Sequence, residues 1–470
     1  MIKKLLCRND STLMDALSII DANGKRVVFV VDKNNKLCGI LTDGDIRRLL
    51  LGGHHLHEKV GNIVKSDFVY AKARETYKEI LPKFNDTIKI IPIVNDAMEV
   101  VNYFQYDEGI HIPVANPDLS GNEYRYLMHA FLSSWISSSG IYKDIFEKEF
   151  SKFCSTKYGI TTSNGTVALH LALLALGIGK GDEVIVPDLT FAATINAVLY
   201  TGATPVIVDI EKDSWCIDPA RIKEAITHRT KAIIPVHLYG QPADMDAIVS
   251  LARKNKLFII EDCAEAHGAT FDNRKVGSFG DIGCFSFFAN KVITTGEGGM
   301  CVTNSPRLSK KMKILRDHGM SLNKKYWHEI VGYNYRLTNL QAAIGVAQLE
   351  RIDTILRNRQ KIEDEYRKNL SGIDFIEFQR NDLPKRKKIV WLVSLLIKNK
   401  KRDLYVRRLQ QKGIDVRPFF YPLSSIKIYK KYVFSAKNSV DISRAGISFP
   451  TLYGKAHDDI FWHIKKILRD

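Results

Sequence analysis

Short, unbroken apolar runs alternate with helical patterns along the middle of the chain, and this alternation restricts its possible folds more than any other feature. A strand that helices bury on both faces is continuously apolar, whereas a half-exposed strand alternates apolar and polar residues. We therefore predict an α/β fold with a mostly parallel sheet. Ligands of such sheets bind at the carboxyl ends of the strands. The runs are EVIVP (183–187), PVIVDI (205–210), AIIPVH (232–237), LFIIED (257–262), CFSFF (284–288) and MCVTN (300–304).

Length and pattern divide the chain into three predicted domains. At 470 residues, the chain exceeds the size of a single hydrophobic core. Residues 1–108 form a predicted small α/β module, in which a helix and strand pattern recurs at a spacing of about 55 residues. We predict a large α/β domain over residues 109–350 and a smaller α+β domain over residues 351–470. A long predicted helix over residues 349–370 joins these two domains.

The net charge of +17 is concentrated in residues 351–470, which contain 28 Lys and Arg and 13 Asp and Glu. Its dense runs, PKRKK (384–388) and KNKKRDLYVRR (398–408), lack the repeated aromatic residues of a base-stacking surface. We therefore predict no nucleic-acid partner. A solvated face, attraction of an anionic nucleotide substrate and attraction of a membrane surface stay open for this region.

Targeting and metal-binding signals are weak throughout the chain. No apolar stretch reaches membrane-spanning length, and the opening MIKKLLCRND lacks the apolar core of a signal peptide. We predict a cytoplasmic protein without a transmembrane segment. The seven cysteines form no CxxC pair, and His54, His55 and His57 lie in a glycine-containing loop with no nearby cysteine. Neither a disulfide framework nor a metal site is predicted.

Two ionisable residues follow apolar runs, where a parallel sheet places its ligands. Asp262 ends LFIIED, and a carboxylate at that edge requires a cationic partner. Lys291 follows CFSFF, and apolar neighbours lower the pKa of a lysine so that it can form a Schiff base. Alone, such a lysine is more often a surface residue past a strand end. Its combination with Asp262, which can hold a protonated pyridine nitrogen, predicts a site for pyridoxal 5′-phosphate (PLP).

The segment TTSNGTVALHLALLAL (161–176) predicts a polar turn that opens an apolar helix. Ser163 or Asn164 could cap this helix, and the free amides of Gly165 and Thr166 suit a phosphate group. By itself, the turn predicts only an ordinary helix cap. PLP requires a lysine, a carboxylate for its ring nitrogen and an anion site, and the sequence offers all three.

Residues 112–470 resemble the DegT/DnrJ/EryC1/StrS family of sugar-nucleotide aminotransferases across EDCAEAHGA, FSFFANKVITTGEGGM and GYNYRLTNLQAAIG. Within that family, residues 315–350 are most similar to the GDP-perosamine synthases. The resemblance implies the aspartate-aminotransferase architecture (fold type I), PLP as cofactor and a homodimer. It also implies catalysis by Lys291 and Asp262, stacking of Phe191 on the cofactor ring, contact of Glu265 with the cofactor's 3′-oxygen, and binding of its phosphate by Gly165, Thr166, Ser286 and, across the dimer, Asn334.

Two residues depart from the family pattern. Glu265 stands where many relatives have glutamine, and a second carboxylate there could alter the protonation of the cofactor. Ser424, in RPFFYPLSSIKIYKKY (417–432), stands where relatives often have histidine. The substrate contacts of that loop are therefore not carried over from the family.

A lysine at position 291 determines the implied reaction, because family members with histidine there are sugar dehydratases. With Lys291, the resemblance implies transfer of an amino group from L-glutamate to a nucleotide-linked 4-keto-6-deoxy sugar. The favoured substrate is GDP-4-keto-6-deoxy-D-mannose, which would give GDP-perosamine for a surface polysaccharide. UDP- or dTDP-linked 4-keto or 3-keto sugars stay open. A non-catalytic, nucleotide-sensing regulator is the alternative class, and the intact Lys291, Asp262 and Ser286 argue against it.

The stretch GILTDGDIRR (39–48) resembles CBS domains through Gly39, Thr42, Asp45 and Arg47. Tandem CBS domains often bind adenine nucleotides, so the resemblance implies a regulatory nucleotide at Thr42 and Asp45. The second copy lacks the GxxTxxD stretch after IPIVND (91–96). A purely structural or dimerising role therefore stays open for this α/β CBS pair.

Overall fold

The computed structural model describes residues 2–65, 67–75, 77–85, 88–105, 112–452 and 457–469. They belong to two compact units, Met1–Gly109 and Ile110–Asp470. The predicted boundary between residues 108 and 109 lies outside the described residues. In the described part of the chain, no helix combines the length and the apolar composition needed to cross a membrane.

The N-terminal unit contains two small sheets of the same design. In each sheet, the middle strand pairs in parallel with the first strand and antiparallel with the third, and a bulge interrupts the second pairing at the same place. The elements are β1 (Leu6–Arg8), α1 (Leu13–Asn23), β2 (Val27–Val31), β3 (Leu37–Thr42), α2 (Asp43–Leu51), β4 (Ala71–Lys72), α3 (Tyr77–Ile80), β5 (Ile90–Val94) and β6 (Val100–Gln105), with 3-10 turns at Ile2–Leu5, Val60–Asn62 and Leu81–Lys83.

The two sheets form an internal repeat, but the predicted spacing of about 55 residues is wrong. The middle strands begin at Val27 and Ile90, which are 63 residues apart. The two copies share an apolar cluster that includes Phe29, Val31 and Val94. They differ in their helices, because α1 spans 11 residues behind a capping box at Thr12 whereas α3 spans four residues. The weak helical pattern of the second copy therefore corresponds to a shortened helix.

A seven-stranded sheet forms the centre of the second unit, in the order β7-β15-β14-β11-β10-β8-β9. Six of these strands run in the same direction and only β15 runs in the opposite one, so the sheet is mostly parallel. Six of these strands are buried along their whole length or at all but one residue. The first strand, β7, was not among the predicted runs. The strands are β7 (Tyr158–Thr162), β8 (Glu183–Pro187), β9 (Thr204–Val208), β10 (Thr230–Ile233), β11 (Phe258–Asp262), β14 (Ile282–Ser286) and β15 (Gly299–Thr303), and β12 (Thr270–Phe271) and β13 (Arg274–Lys275) form a hairpin outside the sheet.

Helices cover both faces of this sheet and create two separate apolar cores. Helix α6 is apolar on nearly all sides because it packs against the sheet and also against α7 and α10. The helices of this part are α4 (Glu123–Leu132), α5 (Ile141–Phe153), α6 (Gly165–Leu176), α7 (Ala193–Tyr200), α8 (Pro219–Ala225), α9 (Met245–Asn255), α10 (Pro306–Arg316) and α11 (Asn339–Glu350), with a 3-10 turn at Leu238–Gly240.

The C-terminal part begins with the long helix α12 (Ile352–Asn369), whereas the predicted helix started at residue 349. Arg351 interrupts the helical run, so residues 349 and 350 belong to α11. The predicted domain boundary after residue 350 stays a prediction. The remaining elements are β16 (Ile376–Phe378), β17 (Arg386–Lys387), β18 (Val393–Ile397), α13 (Arg402–Gln411), β19 (Arg417–Pro418), α14 (Asn438–Ala445), β20 (Gly446–Phe449) and α15 (His457–Arg469), with 3-10 turns at Leu423–Ser425 and Lys430–Tyr432.

Candidate active site

The carboxyl ends of β11 and β14 lie side by side, because these strands are neighbours in the sheet and run in parallel. Asp262 is the last residue of β11, and Ser286 is the last residue of β14. Lys291 follows five residues after Ser286, where its backbone N–H donates to the carbonyl of Phe288 in a tight turn. Asp262 and Lys291 therefore both lie at the edge of the sheet where the parallel strands have their carboxyl ends.

The amine of Lys291 lies in an enclosed position between a carboxylate and an aromatic ring. Its side chain is 12% exposed, and its Nζ lies 3.7 Å from Oε1 of Glu265. The same Nζ lies 3.9 Å from the ring centroid of Trp391. Burial lowers the pKa of Lys291, and the nearby Glu265 and Asp262 oppose this shift. The amine is therefore less basic than that of a surface lysine.

Asp262 is buried and has two hydrogen-bond donors. The Thr194 hydroxyl donates to its Oδ2 at 2.8 Å, and the Ala264 backbone N–H donates to its Oδ1 at 3.2 Å. Burial raises the pKa of Asp262, whereas the hydrogen bond from Thr194 lowers it. A cationic group bound beside this carboxylate would compensate its burial.

Glu265 is a second buried carboxylate within reach of the same amine. Its Oε2 accepts a hydrogen bond of 2.9 Å from the backbone N–H of Tyr239. Burial raises its pKa to about 7, although Lys291 partly opposes the shift. Tyr239 adopts a φ of 50°, which is uncommon for a residue with a side chain. Glu265 thus stabilises an unfavourable backbone turn and faces Lys291 at the same time.

The first turn of α6 and Ser286 form a narrow cradle. The Asn164 side chain caps the helix by accepting from the backbone N–H of Val167. A Cβ atom on Gly165 would lie only 2.7 Å from the Cβ of Ser286, so a side chain at this position has no room. The amides of Gly165 and Thr166 belong to the first turn, where an α-helix leaves its N–H groups free for an anion. Gly165 therefore lies against Ser286, with Thr166 next to it in the chain, and binding of a phosphate by these residues stays a prediction.

Phe191 lies at the rim of this region. It precedes α7 by two residues and is 59% exposed. Its ring centroid lies 5.7 Å from that of Phe420, which belongs to the C-terminal part. Thr194, which holds Asp262, follows Phe191 by one helical turn, so both residues can face one bound ring.

The amine, the carboxylate and the anion cradle together match the three polar groups of PLP. The amine of Lys291 could bind the aldehyde, Asp262 could pair with the protonated ring nitrogen, and the free first-turn amides of α6 together with the Ser286 hydroxyl could donate hydrogen bonds to the phosphate. The donor set therefore fits the predicted cofactor.

Asn334 is not brought into this group by any described contact within the chain. It is exposed, and its Oδ1 accepts a hydrogen bond of 3.0 Å from Nε of Arg336. The residue that follows it, Tyr335, accepts at its carbonyl oxygen from the backbone N–H of Ser163.

Ser424, one of the two departures from the family pattern, fastens its loop to the sheet. Its backbone N–H and its hydroxyl both donate to the carboxylate of Asp188, at 2.6 and 2.7 Å. The Ser439 hydroxyl donates to the same carboxylate at 2.5 Å. Asp188 is fully buried directly after β8, so the hydroxyl of Ser424 makes a structural contact in this chain.

In the N-terminal unit, Thr42 and Asp45 bond to each other. Thr42 caps α2 and accepts from the backbone N–H of Asp45, while Oδ2 of Asp45 accepts from the backbone and hydroxyl of Thr42. Arg48 donates to the other carboxylate oxygen, Oδ1, at 2.7 Å. This capping box accounts for both residue types at this spacing without a ligand.

A buried cluster of His237, Glu261 and Cys263 has ligand atoms close enough to hold a metal ion. The carboxylate of Glu261 and the ring of His237 already have protein partners. Glu261 accepts from the backbone N–H groups of Gly277, Phe279 and Gly280, and Nδ1 of His237 accepts from the backbone N–H of Ala243. These hydrogen bonds explain the cluster structurally, because Glu261 holds the backbone of the loop that precedes β14.

Sequence reasoning missed three residues around Lys291 and Asp262, namely Thr194, Tyr239 and Trp391. Thr194 had a detectable signal, because it lies one helical turn after Phe191. Tyr239 and Trp391 had none, since each lies in an apolar segment that predicts only a core position. Their roles depend on contacts across large separations in sequence.

Comparisons with known proteins agree with this geometry. A model of the DegT/DnrJ/EryC1/StrS aminotransferase family matches residues 117–465, and a CBS domain model matches residues 1–52. The GDP-perosamine synthase of Escherichia coli O157:H7 is 43% identical over 358 residues, covering 76% of this chain and 98% of the relative. The GDP-perosamine synthase of Caulobacter vibrioides is 45% identical over 356 residues, covering 74% and 95%. The PLP form of Spr1654 from Streptococcus pneumoniae matches with a TM-score of 0.72 and 28% identity, covering 76% of this chain and 98% of that one.

These matches confirm the predicted fold type I aminotransferase architecture, the N-terminal CBS domain, the enzyme class and PLP as the cofactor. They extend over nearly the full length of both perosamine synthases, so the likeness is not limited to the cofactor motifs. The chain belongs to the DegT/DnrJ/EryC1/StrS aminotransferase family.

Proposed function

We propose that this chain transfers the amino group of L-glutamate to the keto carbon of a nucleotide-linked 4-keto-6-deoxy sugar, with PLP as cofactor. The observation that carries the proposal is the buried amine of Lys291. This amine faces Glu265 at the edge of the sheet where β11 ends with Asp262. Burial of an ammonium group is costly, and a buried amine with a lowered pKa is typical of a functional site. The identity of 43–45% to two GDP-perosamine synthases supports the reaction class.

The proposed roles of the residues correspond to the amine, the carboxylate and the anion cradle described above. Lys291 would carry the cofactor and, once released, move protons between cofactor and substrate carbons. Asp262 would hold the ring nitrogen in its protonated form, and Glu265 would lie beside the 3′-oxygen. Phe191 would cover the ring, and the cradle of Gly165, Thr166 and Ser286 would bind the phosphate.

The electrostatics of the site suit proton transfer near neutral pH. Bound PLP supplies an electron-withdrawing ring that stabilises negative charge on the substrate carbon. Because burial lowers the pKa of Lys291, a neutral amine that can accept a proton is more accessible than on an ordinary lysine. Because burial raises the pKa of Glu265 to about 7, this carboxyl can change protonation state in the same range.

GDP-4-keto-6-deoxy-D-mannose is the proposed acceptor, and GDP-perosamine is the proposed product. Support comes from the names of the two relatives and from their coverage. UDP- and dTDP-linked keto sugars are the alternatives. A UDP-linked 3-keto sugar has support from a relative at 49% identity over 229 residues that is named a UDP-N-acetyl-3-dehydro-alpha-D-glucosamine 3-aminotransferase. We further propose that the reaction occurs in the cytoplasm and supplies a surface polysaccharide.

An assay of 2-oxoglutarate release tests the reaction and the acceptor together. Purified protein is incubated with L-glutamate and, separately, with GDP-, UDP- and dTDP-linked 4-keto-6-deoxy sugars. We expect the highest kcat/KM with the GDP-linked sugar. Lys291→Ala should reduce turnover at least about a thousandfold, because it removes the group that binds cofactor and moves protons. The exposed Lys180→Ala serves as a control, and full activity of Lys291→Ala would refute the mechanism.

We propose that the second unit, Ile110–Asp470, forms a homodimer with shared active sites, and we call it the catalytic unit. Its described surface exposes large apolar side chains in two segments, 131–141 and 322–331, including Leu132 at 74% and Val331 at 89%. Such patches are typical of interaction surfaces. Asn334 follows the second segment and is exposed, as a residue that reaches a partner's cofactor phosphate must be.

Mixing two inactive variants tests the sharing of sites. Lys291→Ala and Asn334→Ala are each expected to have low activity as homodimers. After unfolding and refolding together in equal amounts, half of the dimers would be mixed, and each would contain one intact site, so about a quarter of wild-type activity should return. Activity that stays at the level of the separate variants would exclude a shared site.

For the CBS pair, we propose a regulatory nucleotide that contacts Thr42 and Asp45. The matched control is in the same unit, because Thr12 and Asp15 form an identical capping box on α1. Thr42→Ala and Thr12→Ala should lose similar cap energy, but only Thr42→Ala should weaken nucleotide binding. Calorimetric titration of the full chain with ATP, AMP and GTP measures this difference. Equal binding by both variants, or none by the wild type, would contradict the proposal.

A further inference from the structure

Trp391 contacts Lys291 although the two residues are 100 positions apart in the sequence. Nζ of Lys291 lies 3.9 Å from the centroid of the Trp391 ring. The indole Nε1–H donates a hydrogen bond of 2.8 Å to the carbonyl oxygen of Asn290, the residue directly before Lys291. One side chain therefore touches both the amine of Lys291 and its backbone segment.

The orientation of the indole is itself held from several directions. Trp391 is 4% exposed and lies just before β18. Its ring stacks on that of Tyr239 with an interplanar angle of 12° and a centroid distance of 6.0 Å. Nη1 of Arg359, on α12, donates to the Trp391 carbonyl oxygen at 2.5 Å. A side chain fixed in this way can define the position of its neighbour.

The charged and titratable groups that face the amine of Lys291 are few. Glu265 lies 3.7 Å away, Asp262 lies at the end of the neighbouring strand, and Arg417 acts on the amine electrostatically, while the amine itself disfavours a charged His267. Burial lowers the pKa of His267 to about 3, so its ring is neutral. The indole face is electron-rich and attracts an ammonium group, most strongly among the aromatic side chains. It therefore acts on the charged form of Lys291 in addition to the two carboxylates.

We propose that Trp391 is a positioning residue for Lys291: its ring face holds the amine, and its indole N–H fixes the carbonyl of Asn290. The proposal rests on the proposed function only in so far as Lys291 is the cofactor lysine. The contact between Trp391 and Lys291 belongs to the protein alone, so it can be tested before any cofactor is added.

The first test measures the reactivity of Lys291 in the protein freed of PLP. Wild type, Trp391→Phe and Trp391→Leu are treated with a small amine-acylating reagent at a series of pH values, and the modification of Lys291 is quantified by mass spectrometry. The pKa of Lys291 should fall in the order wild type, Phe, Leu, by up to about one unit, because the ring face that stabilises the ammonium is weakened and then removed. An unchanged or higher pKa in Trp391→Leu would overturn the proposal.

The second test separates positioning from binding in the loaded enzyme. Trp391→Leu should lower kcat by about tenfold with KM changed less than about twofold, and Trp391→Phe should fall in between, because it keeps a ring but loses the N–H donor. Should the Leu variant fail to fold, the Phe variant decides: equal kcat and equal Lys291 reactivity to wild type would refute the proposal. If Lys291→Ala were active, the proposed function would fail, whereas the shift in Lys291 reactivity would still stand.

Discussion

Glu265 is a carboxyl group whose protonation differs between the folded and the unfolded chain. Burial raises its pKa from 4.5 to about 7 in the folded protein. Between these values, the folded chain keeps a proton that the unfolded chain releases. The contribution of this group to stability is therefore present below about pH 4.5 and is lost as the pH rises through 7.

Glu265→Gln should remove this pH dependence. Relative to the variant, the wild type should lose at most about 3 kcal/mol of stability between pH 4.5 and 7, at about 1.4 kcal/mol per pKa unit. Urea unfolding of the PLP-free protein at several pH values measures the difference. Glu377→Gln is the control, because Glu377 is half exposed in a surface pair with Lys398. Parallel curves for wild type and Glu265→Gln would contradict the shifted pKa.

Thr194 determines how readily Asp262 stays ionised. Its hydroxyl donates to Oδ2 of Asp262 at 2.8 Å and opposes the rise in the pKa of Asp262 that burial causes. Thr194→Val keeps the shape of the side chain but removes the donor, so the pKa of Asp262 should rise further. We expect kcat to fall about tenfold, the effect of losing one hydrogen bond to a charged group. Rate measurements from pH 6 to 8 test this, and Thr194→Ser should restore most of the activity.

At this scale, sequence reasoning identified residues whose chemistry is unusual for their surroundings. Asp262 and Lys291 are polar residues that follow apolar strands, and the described contacts bring both to one edge of the sheet. Trp391 is an apolar residue in an apolar run, so its type and spacing predict only burial. Its contact with Lys291 depends on how the C-terminal part packs, and a single sequence does not contain that distance.

Among the elements, the start of α6 is the most sensitive to a single methyl group. A Cβ on Gly165 would meet the Cβ of Ser286 at 2.7 Å, within the cradle proposed for the phosphate. Gly165→Ala should weaken PLP binding at least about tenfold, because Ser286 and the helix must separate to admit the methyl group. Equilibrium dialysis with PLP measures the affinity. Gly179→Ala is a matched control, since its Cβ would have only one neighbour, the carbonyl oxygen of Thr201 at 3.7 Å.

The elements also define what patterning can predict. Six of the seven central strands followed from unbroken apolar runs, because burial on both faces leaves this signature. The seventh, β7, was missed because YGITT contains glycine and two threonines, and its polar side chains are satisfied inside the protein. The repeat spacing in the N-terminal unit was wrong because the weak second helix provided no reliable boundary. The 63-residue spacing follows from the equivalent pairing of β2 with β3 and of β5 with β6. This pairing is seen only in the folded structure.

At the scale of the whole molecule, the two compact units match different protein families. The family model begins at residue 117, and the E. coli GDP-perosamine synthase is covered over 98% of its length by 76% of this chain. The relative therefore has room for little beyond the catalytic unit. The N-terminal unit has its own apolar clusters, in which described residues of both copies of the repeat take part.

Removal of the N-terminal unit should leave the chemistry intact. A variant beginning at residue 110 retains all three apolar clusters of the second unit and every residue proposed to hold PLP. We expect its PLP affinity and its kcat at saturating substrate to stay within about twofold of the full chain, since no interaction made in the transition state is lost. Any response to adenine or guanine nucleotides should disappear. Side-by-side kinetics of the two proteins, each with and without nucleotide, measure both effects. A truncated protein that folds and binds PLP but has lost turnover would show that the N-terminal unit takes part in catalysis.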